Sequence, residues 1–203
     1  MALPAYIDAT TGAITDGEAW VALASTTLGA DTASVTFTNP DDGSSTDWGQ
    51  FMDLVVILYW RSAYAHAMRT ALLQLNGDTT AANYHMQALY GDGSDDLAQD
   101  WNENGLAYSG LIADSATTNA FSAMITTFLD VNSGKYKSFM VNTASDYDGD
   151  GKVQITGGTW KSQDPLTSIL FKSDVGDILD ESRFDLFGVL PRMTPPSATV
   201  TVA

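Results

Sequence analysis

Val35 and Phe37 alternate with Ser34, Thr36 and Thr38, the period of two that marks a strand with one buried face. Residues 51–61 are apolar on both alternating faces, which predicts a central strand covered on both sides. Ala71, Leu73 and Leu75 alternate up to a turn at Asn76-Gly77-Asp78. Phe121, Ala123, Ile125 and Thr127 line one face of a further strand, and Met124 and Phe128 lie on its other face. Residues 136–141, 153–160, 166–172 and 182–189 complete the series. In the last of these, Phe184 and Leu186 point one way and Arg183 and Asp185 the other. Short apolar stretches split by Gly, Asn, Asp and Ser predict about eight to ten strands and an all-β sandwich or barrel. Residues 64–71 and 81–89 are the two stretches that could hold a helical turn or two.

Three zones follow. Residues 1–22 read as an N-terminal arm with a few apolar anchors, Tyr6, Ile7, Ile14 and Trp20. Residues 23–190 read as the sandwich body. Residues 191–203 read as a second arm, kept extended by Pro191, Pro195 and Pro196, because proline fixes φ and removes a donor. Within it residues 198–202 form a short apolar alternation. Val200 and Val202 are placed to pair with a neighbouring subunit by edge addition; the alternative is an unpaired tail.

Composition narrows the partners. The chain has 203 residues, 44% hydrophobic and 17% charged, with a formal net charge of −16 from 25 acids against 9 Lys and Arg. That is enough apolar material for one sizeable core. No Lys or Arg cluster exists beyond Lys135 and Lys137, so nucleic acid and anionic membrane are poor partners. A basic protein surface or a cation is a better one. No cysteine is present, which excludes disulfides and thiolate sites. The longest apolar run, residues 54–60, is far short of the roughly 20 residues a spanning helix needs. With no visible signal peptide, a soluble protein is expected.

Little catalytic chemistry is legible. Only His66 and His85 are available, and no Gly-x-Ser-x-Gly elbow, phosphate loop or dinucleotide fingerprint occurs. Paired carboxylates for glycoside hydrolysis remain open among 25 acids, though no pair stands out by its setting. The most specific local motif is Asp146-Tyr147-Asp148-Gly149-Asp150-Gly151-Lys152-Val153. Its carboxylates Asp146, Asp148 and Asp150, its Gly151 and its apolar Val153 follow the calcium-loop spacing. Gly157 stands where the bidentate Glu belongs, so calcium would need a remote group such as Asp174 or Asp177; the alternative is an acidic hairpin turn. Calcium is the one cofactor considered. Trp48 and Trp101 lie in polar, turn-rich stretches, where an exposed indole implies a partner. Contact with another protein chain is the first reading and glycan stacking the second. Trp60 and Trp160 fall in strands and are expected in the core.

Several pieces stand in a definite order between residues 26 and 189. They are Leu28-Gly29-Ala30-Asp31-Thr32-Ala33-Ser34-Val35-Thr36-Phe37, Leu75-Asn76-Gly77-Asp78, Asn83-Tyr84, Leu89-Tyr90-Gly91-Asp92-Gly93 and Ala113-Asp114-Ser115-Ala116-Thr117-Thr118-Asn119-Ala120-Phe121. Gly158-Thr159-Trp160-Lys161-Ser162, Leu166-Thr167-Ser168-Ile169 and Ser182-Arg183-Phe184-Asp185-Leu186-Phe187-Gly188-Val189 follow. In order and spacing they resemble a family of structural proteins from the virions of tailed bacteriophages. Asn76-Gly77 and Asp92-Gly93 suit tight hairpin turns, and Arg183 can pair with an acid on the next strand. The chain departs from the family in its longer arms and in the bulk of Tyr59 and Trp60.

The resemblance implies a jelly-roll-like antiparallel β-sandwich with extended N- and C-terminal arms. It also implies a non-enzymatic role as a capsid cement or decoration subunit on the virion exterior, made in the host cytoplasm and stabilising the head by binding the major capsid protein. A homotrimer at local three-fold positions, clamping neighbours with its arms, is the expected assembly. The alternative is a tail-fibre or head-fibre knob module that binds host-surface glycan. A hydrolase with two carboxylates ranks last.

Overall fold

Strand β3 (Phe51–Trp60) is the spine of the molecule. The computed structural model describes residues 20–101, 103–147 and 149–191, with the backbone alone at Trp101, Ser109, Leu190 and Pro191. Around β3 lie β1 (Trp20–Thr27), β2 (Val35–Thr38), β4 (Met68–Leu75), β5 (Tyr84–Gly91), β6 (Asp96–Trp101) and β7 (Leu106–Ile112). These are followed by β8 (Ser122–Leu129), β9 (Lys137–Asp146), β10 (Gly151–Trp160), β11 (Ser168–Ser173) and β12 (Arg183–Pro191). The fold is all-β: two antiparallel sheets packed as a sandwich. The larger runs β1-β12-β3-β8-β9-β10-β5-β6 and the smaller β2-β11-β4-β7.

The pairings are nested. Strand β1 pairs with β12, β2 with β11, β3 with β8, and β4 with β7. From β1 to β4 the chain changes sheet at every step, and with the β9–β10 hairpin set aside the run β7, β8, β11, β12 does so again. A long hairpin rolled on itself gives this order. Two hairpins, β5–β6 and β9–β10, are inserted into it. Both extend the larger sheet beyond β8.

Alternation fixes which side chains meet between the sheets. Strand β9 alternates buried and exposed along all ten residues, and β11 and β12 alternate buried positions with mostly half-buried ones. At the centre, Trp60 and Phe184 from the larger sheet meet Phe171 from the smaller. Ring centroids are 5.6 Å apart for Trp60–Phe184, 5.8 Å for Phe171–Phe184 and 6.4 Å for Trp60–Phe171. Each such pair contributes about 0.5–1.5 kcal/mol beyond its burial. Trp60 and Trp160 are both core residues.

Several expectations are corrected. Residues 64–71 and 81–89 hold no helix beyond a 3-10 turn at Ala81–Asn83; their alternation is carried by β4 and β5. Asn76 and Gly77 do take positive φ, but they carry the chain from one sheet to the other rather than closing a hairpin. Arg183 pairs with Asp185 on its own strand at 2.9 Å, not across the ladder. Trp20, Val21 and Ala22, read as arm, are the start of β1, and Pro191 ends β12. The β3 run is central in its sheet, but only its inner face is covered by a second layer among the described residues.

Candidate binding surface

Trp20 opens β1 opposite Val189 on β12, and Pro191 lies opposite Phe51 on β3. Antiparallel pairing of the first and last strands therefore brings residue 20 and residue 191 to one corner of the body. Trp20 is 46% exposed there, with its ring 5.7 Å from Phe187. Tyr6, Val200 and Val202, the other arm residues singled out from sequence, lie outside the described residues.

The outer face of the larger sheet is the second feature. Register places Ile57, Ile125, Asn142, Ile155 and Leu89 in one row across β3, β8, β9, β10 and β5. A flanking row runs Val55, itself buried, then Thr127, Met140, Gly157 and Gln87, and the other runs Tyr59, Ala123, Ala144, Val153 and Gly91. Ile125 is 44%, Ile155 49% and Leu89 59% exposed. Tyr59 is stacked on Phe121 at 4.9 Å and is also exposed. Across β8, β9 and β10 these rows contain no ionisable side chain. The charges sit at the margins: Arg183 beside Asp185 on β12, and Asp96 and Asp100 on β6.

Gly157 breaks this surface. A Cβ there would meet nothing within 4 Å, and the missing side chain opens a cleft of about 420 Å³. His85, Gln87, Asp100 and Thr159 bring polar atoms to it. His85, expected from sequence as a packed residue, is half-buried at the cleft wall.

The acidic hairpins lie at one end of the larger sheet. Turns β5–β6 and β9–β10 line a hollow of about 230 Å³ that includes Asp92, Asp146 and Asp150. Asp146 accepts from Gly149 N at 3.3 Å, and Asp150 from Gly151 N at 2.8 Å. Asp92 accepts from Asp95 N and Ser94 N. Those backbone bonds, helped by the charge of Lys152, hold its carboxyl below the usual aspartate value. Asp174, considered as a remote calcium ligand, is bound by Arg69 at 2.6 and 3.1 Å. Asp148 lies outside the described residues, and among those described no group of three or more His, Cys, Asp or Glu is placed to hold a metal.

Trp48 corrects the sequence reading. It is 1% exposed and part of the core. The polar residues around it satisfy the loop backbone instead of announcing a partner. Asn39 Oδ1 accepts from Trp48 N, Asp47 accepts from Gly49 N, and Asn132 Nδ2 donates to Trp48 O, each at 2.8 Å. Trp101 lies on the edge strand β6, its side chain outside the described set. Lys137, half of the only basic pair, is buried. It donates to Ser133 O and Lys135 O at 2.9 and 2.7 Å, and burial holds its ammonium below the ordinary 10.5. No helix among the described residues is long and apolar enough to cross a membrane.

No protein-family model and no curated protein matches the chain. Two solved structures show faint likeness. One is the binding domain of botulinum neurotoxin DC in complex with SialylT, at 11% identity and a TM-score of 0.24 over 91% of this chain and 47% of that one. The other is botulinum neurotoxin type C, which depends upon interaction with two ganglioside molecules to enter cells, at 12% identity and a TM-score of 0.21 over 92% and 47%. The chain spans about half the length of these structures, and at such TM-scores the likeness carries no argument about function.

Proposed function

We propose that this chain is a structural protein of a bacteriophage virion, a cement or decoration subunit that binds the major capsid protein from outside the shell. The observation that supports it most is the shared corner. Residues 20 and 191 flank β3 through the β1–β12–β3 ladder, so the segments 1–19 and 192–203 attach to the body side by side. Two extensions rooted at one point can engage one neighbourhood of a lattice together, and linked modest contacts reinforce each other. The net charge of −16 fits a partner with a basic surface.

The test is a pair of truncations, residues 1–19 and residues 192–203, each offered to capsids stripped of this protein. The body is expected to fold as before, and occupancy to fall at least tenfold for each. Full decoration by both truncated chains would remove the reading.

A second reading has one observation in its favour. The Gly157 cleft, with polar walls at His85, Gln87, Asp100 and Thr159 and with apolar Leu89 and Ile155 in the next row, offers hydrogen-bonding groups that suit a saccharide of a host surface. Labelling of intact particles separates the two, since a glycan-binding knob sits on a fibre and a cement subunit on the shell.

A further inference from the structure

We propose that the outer face of the eight-stranded sheet is the surface through which two copies of this chain pair. Strands covered on both sides read as continuous apolar runs. Strand β3 is of that kind over residues 54–60, and β8 beside it carries apolar residues on both faces, with Leu58 and Met124 inward and Ile57 and Ile125 outward. The inward set is covered by β2-β11-β4-β7. The outward set has no covering layer among the described residues. Exposed apolar patches larger than a few hundred Å² mark interaction sites.

Charge selects the occupant. Each copy carries −16, so two copies repel wherever acids would face each other. On this face the central strands offer Ile125, Ile155 and Met140 with no carboxylate among them; the nearest acids, Asp100 at the Gly157 hollow and Asp185 beside Ile57, lie toward its two edges, so two copies can meet here with few like charges between them. Size agrees. Five strands at about 4.8 Å spacing and six residues at about 3.3 Å rise give a field of roughly 25 by 20 Å once side-chain width is included. Two such fields bury on the order of 1,000 Å², the lower bound for a specific interface. Shape agrees as well: the hollow at Gly157 lies directly across the ladder from the protruding Met140, so one surface carries both knob and hole. Two sheets of the same twist pack aligned, about 10 Å apart.

A contact of a surface with itself is twofold. It gives pairs, where the sequence reading placed three copies about a threefold. It stands independently of the capsid reading.

Sedimentation equilibrium of the full chain tests it. The expected mass is twice 21.7 kDa. Ile125→Glu and Ile155→Glu should each weaken pairing at least tenfold. Both positions are half-exposed in the single chain, so the circular-dichroism spectrum and the melting transition of the separated monomer should stay unchanged. Gly157→Met, which fills the hollow without adding charge, should also weaken it. A wild-type monomer at every concentration overturns the proposal, as does a trimer, or a dimer that persists in both Glu variants. Decoration of capsids by the monomeric variants is scored separately.

Discussion

The Asp78 carboxylate accepts a hydrogen bond from the Trp160 indole Nε1 at 2.8 Å, tying the turn after β4 to the end of β10. The same oxygen accepts from Asn83 Nδ2, and Asp78 Oδ1 from Thr80 N, both at 2.8 Å. Tyr84 adds to the knot: its hydroxyl donates to Asp78 O at 2.9 Å and accepts from Leu75 N at 3.0 Å. Removing the carboxylate leaves the buried indole without its acceptor. Hydrogen bonds to a charged group contribute roughly 1.5–3 kcal/mol, so Asp78→Ala should lower stability by about 2 kcal/mol in urea unfolding. Trp160→Phe should cost less when added to Asp78→Ala than alone, since the two share one bond.

The same contact sets an acid limit. Burial pushes the Asp78 carboxyl up, but the bonds from Trp160, Asn83 and Thr80 together outweigh it and leave its pKa below 3.8. A carboxyl depressed in the folded state binds its proton more readily in the unfolded chain. Its contribution is therefore complete above the unfolded value and is lost as pH falls below 3.8 through the folded value. Asp78→Asn should flatten the fall in stability over that acid range. An unchanged pH profile would show that other carboxyls govern it.

Much of this knot is visible as sequence and none of it as geometry. Leu75-Asn76-Gly77-Asp78, Asn83-Tyr84, Trp160 and Thr167-Ser168 stand out one by one in the sequence, and the fold joins them: Asn76 Oδ1 accepts from Thr167 N and Ser168 N. Period-two alternation located β2, β3 and β12 because each has one strictly apolar face, and β8 because Met124 and Phe128 alternate with Ala123 and Ile125. It did not locate β6, where Asp96–Trp101 is an exposed edge strand. It missed β5, whose Met86, Ala88 and Leu89 also fit a helical spacing. Polar flanks misled at Trp48, because Asn39 and Asp47 were serving loop backbone. The apolar outer face was legible in part: residues 51–61 announced two covered faces, but sequence alone did not reveal that the chain supplies one cover.

Adjacent glycines on β10 should respond oppositely to one methyl group. At Gly158 a Cβ would overlap the Phe139 ring and the His85 carbonyl oxygen, the latter being backbone that cannot swing away. Gly158→Ala should therefore cost several kcal/mol, with soluble yield falling accordingly. At Gly157 nothing lies within 4 Å, and Gly157→Ala should be neutral or stabilising by up to about 1 kcal/mol, since glycine is a poor strand residue. Thermal melts of the two variants decide the point, and equal melting temperatures would contradict the strand packing described here.

Arg61 links core to surface. Its guanidinium is buried at the end of β3 and donates to four carbonyls of one loop: Asp114 O and Ala116 O at 3.0 and 3.1 Å, Thr117 O and Ala120 O at 2.9 and 3.0 Å. The planar fork of arginine reaches all four at once. An ammonium cannot, so lysine is not a conservative replacement. Arg61→Met strands the carbonyls and should cost about 3 kcal/mol or more, with Arg61→Lys in between. The loop also delivers Phe121, which stacks on Tyr59 at the margin of the outer face. Hydrogen exchange should therefore accelerate across residues 113–121 in both variants, ahead of the rest of the sandwich. If exchange in this loop were unchanged while the core loosened, Arg61 would be a packing residue and not the organiser of the loop.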